Sequence, residues 1–420
     1  MLADVPQLLA DLTPLRISPD FRRLWSALAV SNIGQQMTAV AVGIQVYAIT
    51  GSVLAVGALG FFQLVPLIVF GLYGGALSDT HDRRLVGLFT AAGLAACASV
   101  LVLQAFAGWS NVALLYTVVA VQSAMFAVGN PARSSITPRI IPMDLLPAAN
   151  TLSMFSFNIG LTLGPLLGGL LIGITGSVTV AYVADLIAFT ATLYAMLRLR
   201  PIPPLPGAPK KFGHQSVIDG LTYLKGKRNV QMSFYVDIVA MVFGMPRALF
   251  PAIAVMWFGD LSISSAAVVG LLYAAPAVGA ILSSVFSGPL GHVRRQGLAV
   301  TASVIAWGLA IAGFGLTRSL PLCLFFLAIA GAADNVSAIF RTTILQAATP
   351  DAYRGRLQGI FTVVVAGGPR LGDVEAGVVA AVTTLGFSVI SGGLACVALT
   401  LLLTAAAPSF LRYDAKHPVP

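Results

Sequence analysis

The stretch GLTLGPLLGG, residues 160–169, decides the fold, and it lies inside a long apolar segment. Glycine and proline are poor helix formers in water, by about 1 and 3 kcal/mol per residue relative to alanine. In a membrane, small residues let neighbouring backbones approach closely, and nearby groups satisfy the carbonyls that proline frees. The spacing GxxxGPxxGG therefore predicts a membrane helix that packs tightly against its neighbours.

The composition supports a membrane protein. The 420 residues are 57% hydrophobic and only 9% charged, with a mean hydropathy of +0.90. Soluble domains carry about 25% charged residues. The net charge of +9 is spread over short loops rather than gathered into a basic stripe, so no nucleic-acid partner is expected. Cys97, Cys323 and Cys396 lie in separate apolar segments and are interpreted as small buried side chains.

Apolar runs long enough to cross a bilayer, about 17–25 residues each, occur about twelve times in two sets of six. The first set lies near 24–49, 54–77, 86–107, 111–130, 147–173 and 178–197. The second lies near 231–254, 266–288, 298–316, 320–340, 359–383 and 385–408. The predicted fold class is an all-α membrane protein of two six-helix pseudo-repeats.

Positive charges give the orientation. With the N-terminus inside, nearly all basic residues fall in inner segments, and the outer loops hold only Arg318. The positive-inside rule then predicts that both termini are cytoplasmic. The inner residues are Arg16, Arg22, Arg23, Arg83, Arg84, Arg133, Arg139, Arg198, Arg200, Lys210, Lys211, Lys225, Lys227, Arg228, Arg294, Arg295, Arg341, Arg354, Arg356, Arg412 and Lys416.

These patterns divide the chain into five parts: a cytoplasmic segment 1–23, a first half 24–200, a linker 201–230, a second half 231–408 and a tail 409–420. Residues 201–213 are rich in proline and cannot span a bilayer. Val217, Ile218, Leu221 and Leu224 follow at helical spacing, which predicts an amphipathic helix on the inner membrane face.

The two halves repeat one another at three places in order. GALSDTHDRR (75–84) aligns with GPLGHVRRQG (288–297). Arg133-Ser-Ser-Ile aligns with Arg341-Thr-Thr-Ile, and GPLLGG (164–169) aligns with GPRLGD (368–373). The offsets are similar but not identical, as expected of a diverged duplication.

The twelve spans, the repeat and the long linker resemble the major facilitator superfamily. Residues 75–84 resemble its loop signature between spans 2 and 3, and residues 160–169 resemble the motif of its antiporting exporters. The first resemblance implies a latch between the halves, made by Gly75, Asp79, Arg83 and Arg84. In residue terms, Gly75 permits close packing, Asp79 is expected to cap a helix start, and the arginines anchor at the inner interface. His292 replaces the aspartate in the second copy, so that latch is expected to be weak.

The exporter resemblance assigns a gating role to span 5, carried by Gly160, Gly164, Pro165, Gly168 and Gly169. Close helix packing without a gating role is the alternative. If span 5 has the gating role, we expect Gly164→Leu to permit expression but abolish export.

Finer motifs resemble the siderophore-exporter branch, of the enterobactin type. They are FRRLW (21–25), NPARSSITPRIIP (130–142), GMPRALFPAIA (244–254), GLLYAAPAVGA (270–280) and TPDAYRGR (349–356). This resemblance implies siderophore efflux driven by a proton gradient. Broad multidrug efflux is the alternative, and a lipid flippase or an importer is less favoured.

Charged residues inside a membrane cost about 3 kcal/mol each and usually mark function. Arg370 and Asp373 in span 11 are three residues apart, so they share a helix face and can pair. Glu375, the single glutamate, points elsewhere. A carboxylate isolated in a low-dielectric cavity can exchange protons near neutral pH. Asp373 or Glu375 is therefore the predicted carrier of the coupling proton, with Arg370 neutralising Asp373 or binding substrate; a static ion pair is the alternative.

Four further charges lie in spans. Asp185 in span 6 and Asp237 in span 7 are secondary proton-coupling candidates, although polar contacts between helices are the preferred interpretation. Arg247 in span 7 either meets an anionic substrate or snorkels to the outer interface, and the second is slightly preferred. Asp334 in span 10 is interpreted as a structural partner of Arg341.

Polar side chains on other spans are candidates for lining a substrate cavity: Gln36, Gln63, Gln122 and Asn158. The predicted partners are a small siderophore-like or drug-like molecule, protons and the lipid bilayer, and the chain is expected to be a monomer. We predict neither a cofactor nor a metal site. The chain has no phosphate-binding GxxxxGK[ST] motif and no HExxH or GxSxG motif, which argues against an ATP-driven pump and against an enzyme.

Overall fold

The computed structural model describes residues 11–203, 222–286, 293–349 and 351–414, and for some helical residues among them only the backbone. The twelve predicted spans correspond to long helices, which we label α1–α12. They are α1 Pro19–Thr50, α2 Val53–Thr80, α3 Arg83–Phe106, α4 Val112–Ile140, α5 Leu146–Thr175, α6 Thr179–Arg198, α7 in two pieces (α7a Arg228–Phe243 and α7b Phe250–Phe258), α8 Ser265–Val285, α9 Gln296–Leu316, α10 Leu320–Ala347, α11 Asp351–Val382 and α12 Leu385–Ala406.

The all-helical membrane fold predicted from the sequence is confirmed. Within the described residues, eleven spans are long and apolar enough to cross a bilayer by length and composition. The remaining long helix is α11, whose 32 residues include Arg370, Asp373 and Glu375. The predicted boundaries were close except at the ends of α4 and α10 and at the start of α11, which begins at Asp351 rather than near 359. These helices continue to Ile140 and Ala347, so they carry Arg133 and Arg341 inside the bundle rather than in loops.

Local sequence signals set the helix ends. Gly51 ends α1 in the left-handed conformation at φ 61°, a region that costs other residues energy. Ser52 then begins α2 by accepting a hydrogen bond from the amide of Ala55. Asn111 caps α4 and Thr384 caps α12 in the same way. Short polar turns between long apolar helices thus define the up-and-down path of the chain.

We call α1–α6 the N-half and α7–α12 the C-half. The proximal end is where α1 begins, and the distal end is where α1 ends. Each half has its own apolar core, and the three cysteines are free and buried, as predicted. Leu224 packs in the C-half core, whereas Val217, Ile218 and Leu221 of the predicted amphipathic helix lie outside the described residues.

Candidate functional site

The glycines of α5 serve two neighbouring helices. Gly164 and Gly168 face α1, where a Cβ on Gly168 would lie 3.0 Å from the Cα of Met37. Gly169, one residue further and so about 100° round the helix, faces α8 in the other half. A Cβ there would lie 2.7 Å from the Cα of Gly270. The motif therefore contains one set of glycines for packing within the N-half and another for packing between the halves.

This division bears on the expected effect of Gly164→Leu. A Cβ on Gly164 already overlaps the side chain of Gln36 and lies 2.8 Å from the carbonyl oxygen of Ile33. A leucine would push α5 away from α1 inside the N-half. We therefore expect this variant to lose stability as well as export, while Gly160, whose Cβ would meet Asn32, belongs to the same intra-half contact.

Helix α11 repeats this arrangement with one chemical change. Gly368 and Gly372 pack against Met241 of α7, as their counterparts in α5 pack against α1. Asp373 stands at the repeat position of Gly169. It lies between the halves, because a Cβ on Gly57 of α2 would be 2.7 Å from the carbonyl oxygen of Asp373. The first copy of the motif thus forms an apolar contact with the other half, and the second copy places a carboxylate there.

The contact between the halves is closed distally and open proximally. On α5, Pro165, Gly169 and Gly173 pack against α8 near the distal end. The same helix face continues proximally as Thr151, Phe155, Asn158 and Thr162, which are exposed or half-buried. On α2, likewise, Gly57 and Gly60 meet α11, while Gly71 has open space around it. A vestibule, defined by these proximal faces, therefore opens at the proximal end.

Helix α7 is broken at the level of the closed contact. Its first piece ends at Phe243, a 3₁₀ turn spans Arg247–Leu249, and the second piece begins at Phe250. Pro246 has no amide hydrogen, and Gly244 lies so close to Trp307 that a Cβ would overlap its indole nitrogen. Broken helices at this depth are a common feature of transporter binding sites.

The break directs Arg247 toward Asp373. One guanidinium Nη lies 3.4 Å from the carboxylate Oδ2, with 37% and 20% of the two side chains exposed. Tyr273 of α8 donates from its hydroxyl to the carbonyl oxygen of Arg247 at 3.2 Å. The preferred expectation that Arg247 snorkels outward is therefore wrong in this structure. The cause is tertiary: the helix break allows the side chain to reach an acid on another helix.

Arg370 completes this group but is not the ion-pair partner of Asp373. Its guanidinium donates to the carbonyl oxygen of Ala366, one turn toward the proximal end. We call Arg247, Arg370, Asp373 and Tyr273 the charged cluster. It contains two guanidinium groups and one carboxylate, and buried atoms of three members lack a hydrogen-bond partner. Those atoms are Nε of Arg247, Nε of Arg370 and Oδ1 of Asp373.

Glu375 lies apart from the charged cluster. Its side chain is half-buried, and within the described residues no ion pair includes it. The sequence prediction that it faces away from Asp373 agrees with the contacts of Asp373 with α2 and α7.

Asp185 belongs to a polar contact between α6 and α1. It is fully buried, and one carboxylate oxygen accepts a hydrogen bond from Thr38 at 2.8 Å. Its other oxygen lies 2.8 Å from where a Cβ of Gly34 would be. Ser31 and Gln45, seven residues before and after Thr38, make similar polar contacts with Thr192 and Tyr182. Helix-to-helix bonding, the preferred sequence interpretation, describes this residue well.

Asp237 forms a buried ion pair that spacing alone did not predict. It contacts Arg341 of α10, and both side chains are at most 2% exposed. Asp334 is a second acid beside Arg341. Its carboxylate Oδ1 lies 3.5 Å from a guanidinium Nη of Arg341, and its side chain is 36% exposed. The predicted Asp334–Arg341 contact is thus present, whereas the placement of Arg341 in an inner loop was wrong because α10 is longer than its apolar run.

Arg341→Gln is expected to destabilise the protein strongly. It would leave Asp237 buried without a cation, and removing one partner of a buried pair costs about 3–5 kcal/mol. The measurement is the thermal unfolding of purified protein in detergent. The double variant Asp237→Asn/Arg341→Gln removes both charges and should recover part of the loss. Equal stability of Arg341→Gln and the natural chain would contradict this role.

The uncharged cavity candidates occupy different places. Asn158 is exposed on the vestibule face of α5, as a lining residue should be. Gln36 packs on Gly164 inside the N-half. Gln63 and Gln122 are half-buried on α2 and α4, which meet where Ser123 donates to the carbonyl oxygen of Gln63. The structure therefore does not gather these four side chains into one group.

The loop after α2 is anchored within the N-half. Asp82, rather than Asp79, caps α3 by accepting from the amide of Arg84 at 2.9 Å, because α2 continues to Thr80. The Arg84 guanidinium donates to the carbonyl oxygens of Met196 and Leu197 at the end of α6. Arg83 has a buried Nε with no hydrogen-bond partner. The surroundings of Gly75 and the side chain of Asp79 lie outside the described residues, as does His292.

Sequence reasoning missed Tyr273 and the ion pair between Arg341 and Asp237. Tyr273 lies in GLLYAAPAVGA, a motif singled out by resemblance without a role. No sequence signal pairs Arg341 with Asp237, because the two residues lie on different helices far apart in the chain.

A family model described as "Transmembrane secretion effector" matches residues 9–416, nearly the whole chain. The chain belongs to this family. With the multi-pass helical fold, this makes it a membrane transporter of the efflux type and not an enzyme. The fold is the major facilitator fold predicted from the repeat.

Similar proteins of known name cover almost the full length. The chain is 28% identical over 413 residues to the enterobactin exporter EntS of Citrobacter koseri, covering 98% of this chain and 97% of the relative. It is also 28% identical to EntS of Shigella boydii over 411 residues, with the same coverages.

Solved structures share the fold at low identity. The nucleoside transporter NupG matches with a TM-score of 0.69 at 15% identity, covering 94% of this chain and 99% of its own. A peptide transporter of the POT family, in complex with sulfate, matches with a TM-score of 0.73 at 14% identity, covering 95% and 96%.

Proposed function

We propose that this chain exports a small amphipathic molecule, specifically a siderophore of the enterobactin type, in exchange for protons. It would act as a monomer in the cytoplasmic membrane, with the proximal end and both termini in the cytoplasm. The relatives named enterobactin exporter support the substrate class. The basic residues at the proximal ends of α1, α3 and α7 support the orientation.

The observation that carries the proposal is the charged cluster at the closed end of the vestibule. Two guanidinium groups and one carboxylate leave an excess positive charge there, which suits an anionic ligand such as a catecholate or a hydroxamate. A siderophore entering from the cytoplasm would reach this cluster at the end of an otherwise polar and aromatic face on α5.

The same geometry supports the proposal of proton exchange. The groups around Asp373 include Arg247 and the backbone of Ala248 from the break in α7, Arg370 from α11 and Tyr273 from α8, and α2 contributes glycine backbone at Gly57 and Gly60. Asp373 would lose its proton to the cytoplasm as the substrate binds, and its carboxylate would then hold Arg247 in position to contact the substrate. Uptake of a proton by Asp373 from outside would break the ion pair and release the substrate there. Proton and substrate would thus occupy the charged cluster in alternate steps.

The contacts between the halves suit alternating access. At the distal end α2 contacts α11 and α5 contacts α8, mainly through glycine and backbone atoms. We call these two contacts the distal seam. Such contacts have no interlocking side chains to disengage, so the halves could separate distally while closing proximally. Asp373 lies within this seam, so its access to protons would change when the halves separate there.

The decisive experiment compares secretion of native siderophore under iron starvation in three strains. They are the parent, a deletion strain, and the deletion strain restored with this chain. We expect the deletion to lower extracellular siderophore and raise the intracellular amount, and the intact gene to reverse both. Unchanged secretion would overturn the siderophore assignment, and tolerance to a panel of amphipathic toxic compounds would then test multidrug efflux.

A further inference from the structure

We propose that Arg133 on α4 is a second contact for the anionic group of the transported molecule, at the proximal end of the vestibule. This rests on the proposed function, because it names a further residue on the same transport route. Its basis is a comparison of Arg133 with the arginine at the same position of the other half.

Arg133 and Arg341 are repeat-related in sequence and in structure. Each is the 22nd residue of its helix, α4 from Val112 and α10 from Leu320. Each is followed by a hydroxyl pair and isoleucine, Ser-Ser-Ile and Thr-Thr-Ile. Their surroundings can therefore be compared position by position.

The C-half neutralises its arginine with two acids. Asp334 stands seven residues before Arg341 on α10, and Asp237 comes from α7. Arg341 is 2% exposed, so its charge is used inside the protein. The ion pair with Asp237 holds α7a to α10, and Arg341 is not open to a ligand.

The N-half replaces both acids with uncharged residues. Phe126 stands seven residues before Arg133, at the repeat position of Asp334. The helix α1 corresponds to α7, and its residues Gln36 and Met37 pack on the glycines of α5 as Met241 packs on the glycines of α11. Asp237 stands four residues before Met241. The corresponding residue of α1 is therefore Asn32 or Ile33, and neither is charged.

Arg133 accordingly has an aromatic neighbour in place of an ion pair. Its guanidinium carbon lies 5.9 Å from the ring centroid of Phe126. Among the ion pairs of the described residues, none includes Arg133, and its side chain is half-buried. A cation held over an aromatic ring keeps its charge available to an anion.

The exposed side chains of α4 near Arg133 are polar. The distal half of α4 exposes Ala113, Thr117 and Val121 on one face, which suits lipid. The proximal half instead exposes Asn130 and Ser134, with Thr137 half-buried beside them, on a different side of the helix. All three are polar, as expected beside a surface in contact with water, and Arg133 borders them. An aromatic anion could pair with the guanidinium and stack on Phe126.

The test measures binding of two probes, 2,3-dihydroxybenzoate and uncharged catechol, to purified full-length protein by calorimetry. Arg133→Gln should weaken binding of the anion by about tenfold or more, since a charged hydrogen bond is lost, and leave catechol unchanged. Arg133→Lys should retain part of the anion binding because it keeps the charge but not the planar donor. The matched control is Arg139→Gln, which removes a positive charge six residues further along α4.

The outcomes separate this inference from the proposed function. Anion binding by Arg133→Gln equal to that of the natural chain, with loss in Arg370→Gln, would overturn the inference and leave the function standing. A natural chain that binds the anion no better than catechol would overturn the anionic substrate class and the inference together. Equal losses for Arg133→Gln and Arg139→Gln would show a general charge effect and also overturn the inference. Unchanged thermal unfolding of each variant establishes that it is folded.

Discussion

Asp373→Asn is expected to lower proton-driven export by about 5–150-fold, the range that corresponds to losing a coupling free energy of about 1–3 kcal/mol. The asparagine has nearly the same shape but can neither carry the proton nor neutralise Arg247. Two guanidinium groups would then face each other across the charged cluster without a carboxylate. The protein should still fold, because the cluster is partly exposed to the vestibule.

The measurement is siderophore transport in proteoliposomes after an imposed pH gradient. The matched control is Glu375→Gln, which makes the same change of charge two residues further along α11, away from the cluster. We expect this control to transport at nearly the natural rate. Full activity of Asp373→Asn together with loss in Glu375→Gln would transfer the coupling role to Glu375.

Gly169→Leu is expected to abolish export by preventing distal closure. Its Cβ would already lie 2.7 Å from Gly270 of α8 and would overlap the carbonyl oxygen of Ala266. A leucine there must push the two halves apart, and such overpacking costs about 1–3 kcal/mol. Because the contact lies between the halves and not inside one, the cost falls on the distally closed state while each half stays folded.

Distances between spin labels at the distal end test this expectation. Thr175 of the N-half and Ser262 of the C-half are exposed there and can carry the labels, while the natural cysteines are buried. We expect the distance in Gly169→Leu to be longer than in the natural chain. Leu170→Phe adds bulk to the neighbouring exposed position and should leave the distance unchanged. Unaltered distance and export in Gly169→Leu would show that this seam does not control access.

The sequence by itself determined the class of the molecule. Apolar runs, positive charges in alternate loops and three repeated motifs are local properties, and they predicted the helices, the repeat and the importance of α5 and α11. They also identified Asp373, Arg370 and Arg247 as charges inside the membrane, because any charge in an apolar run stands out without knowledge of its neighbours.

Tertiary structure alone decided which charges meet. Helical spacing suggested that Arg370 pairs with Asp373, yet the break in α7 brings Arg247 to that carboxylate instead. Arg341 looked like a loop residue until α10 was seen to continue past it and bury it against Asp237. Spacing along one helix fixes only which side chains share a face. Which helix lies opposite that face depends on packing between segments far apart in the chain, and that packing selects the ion pairs.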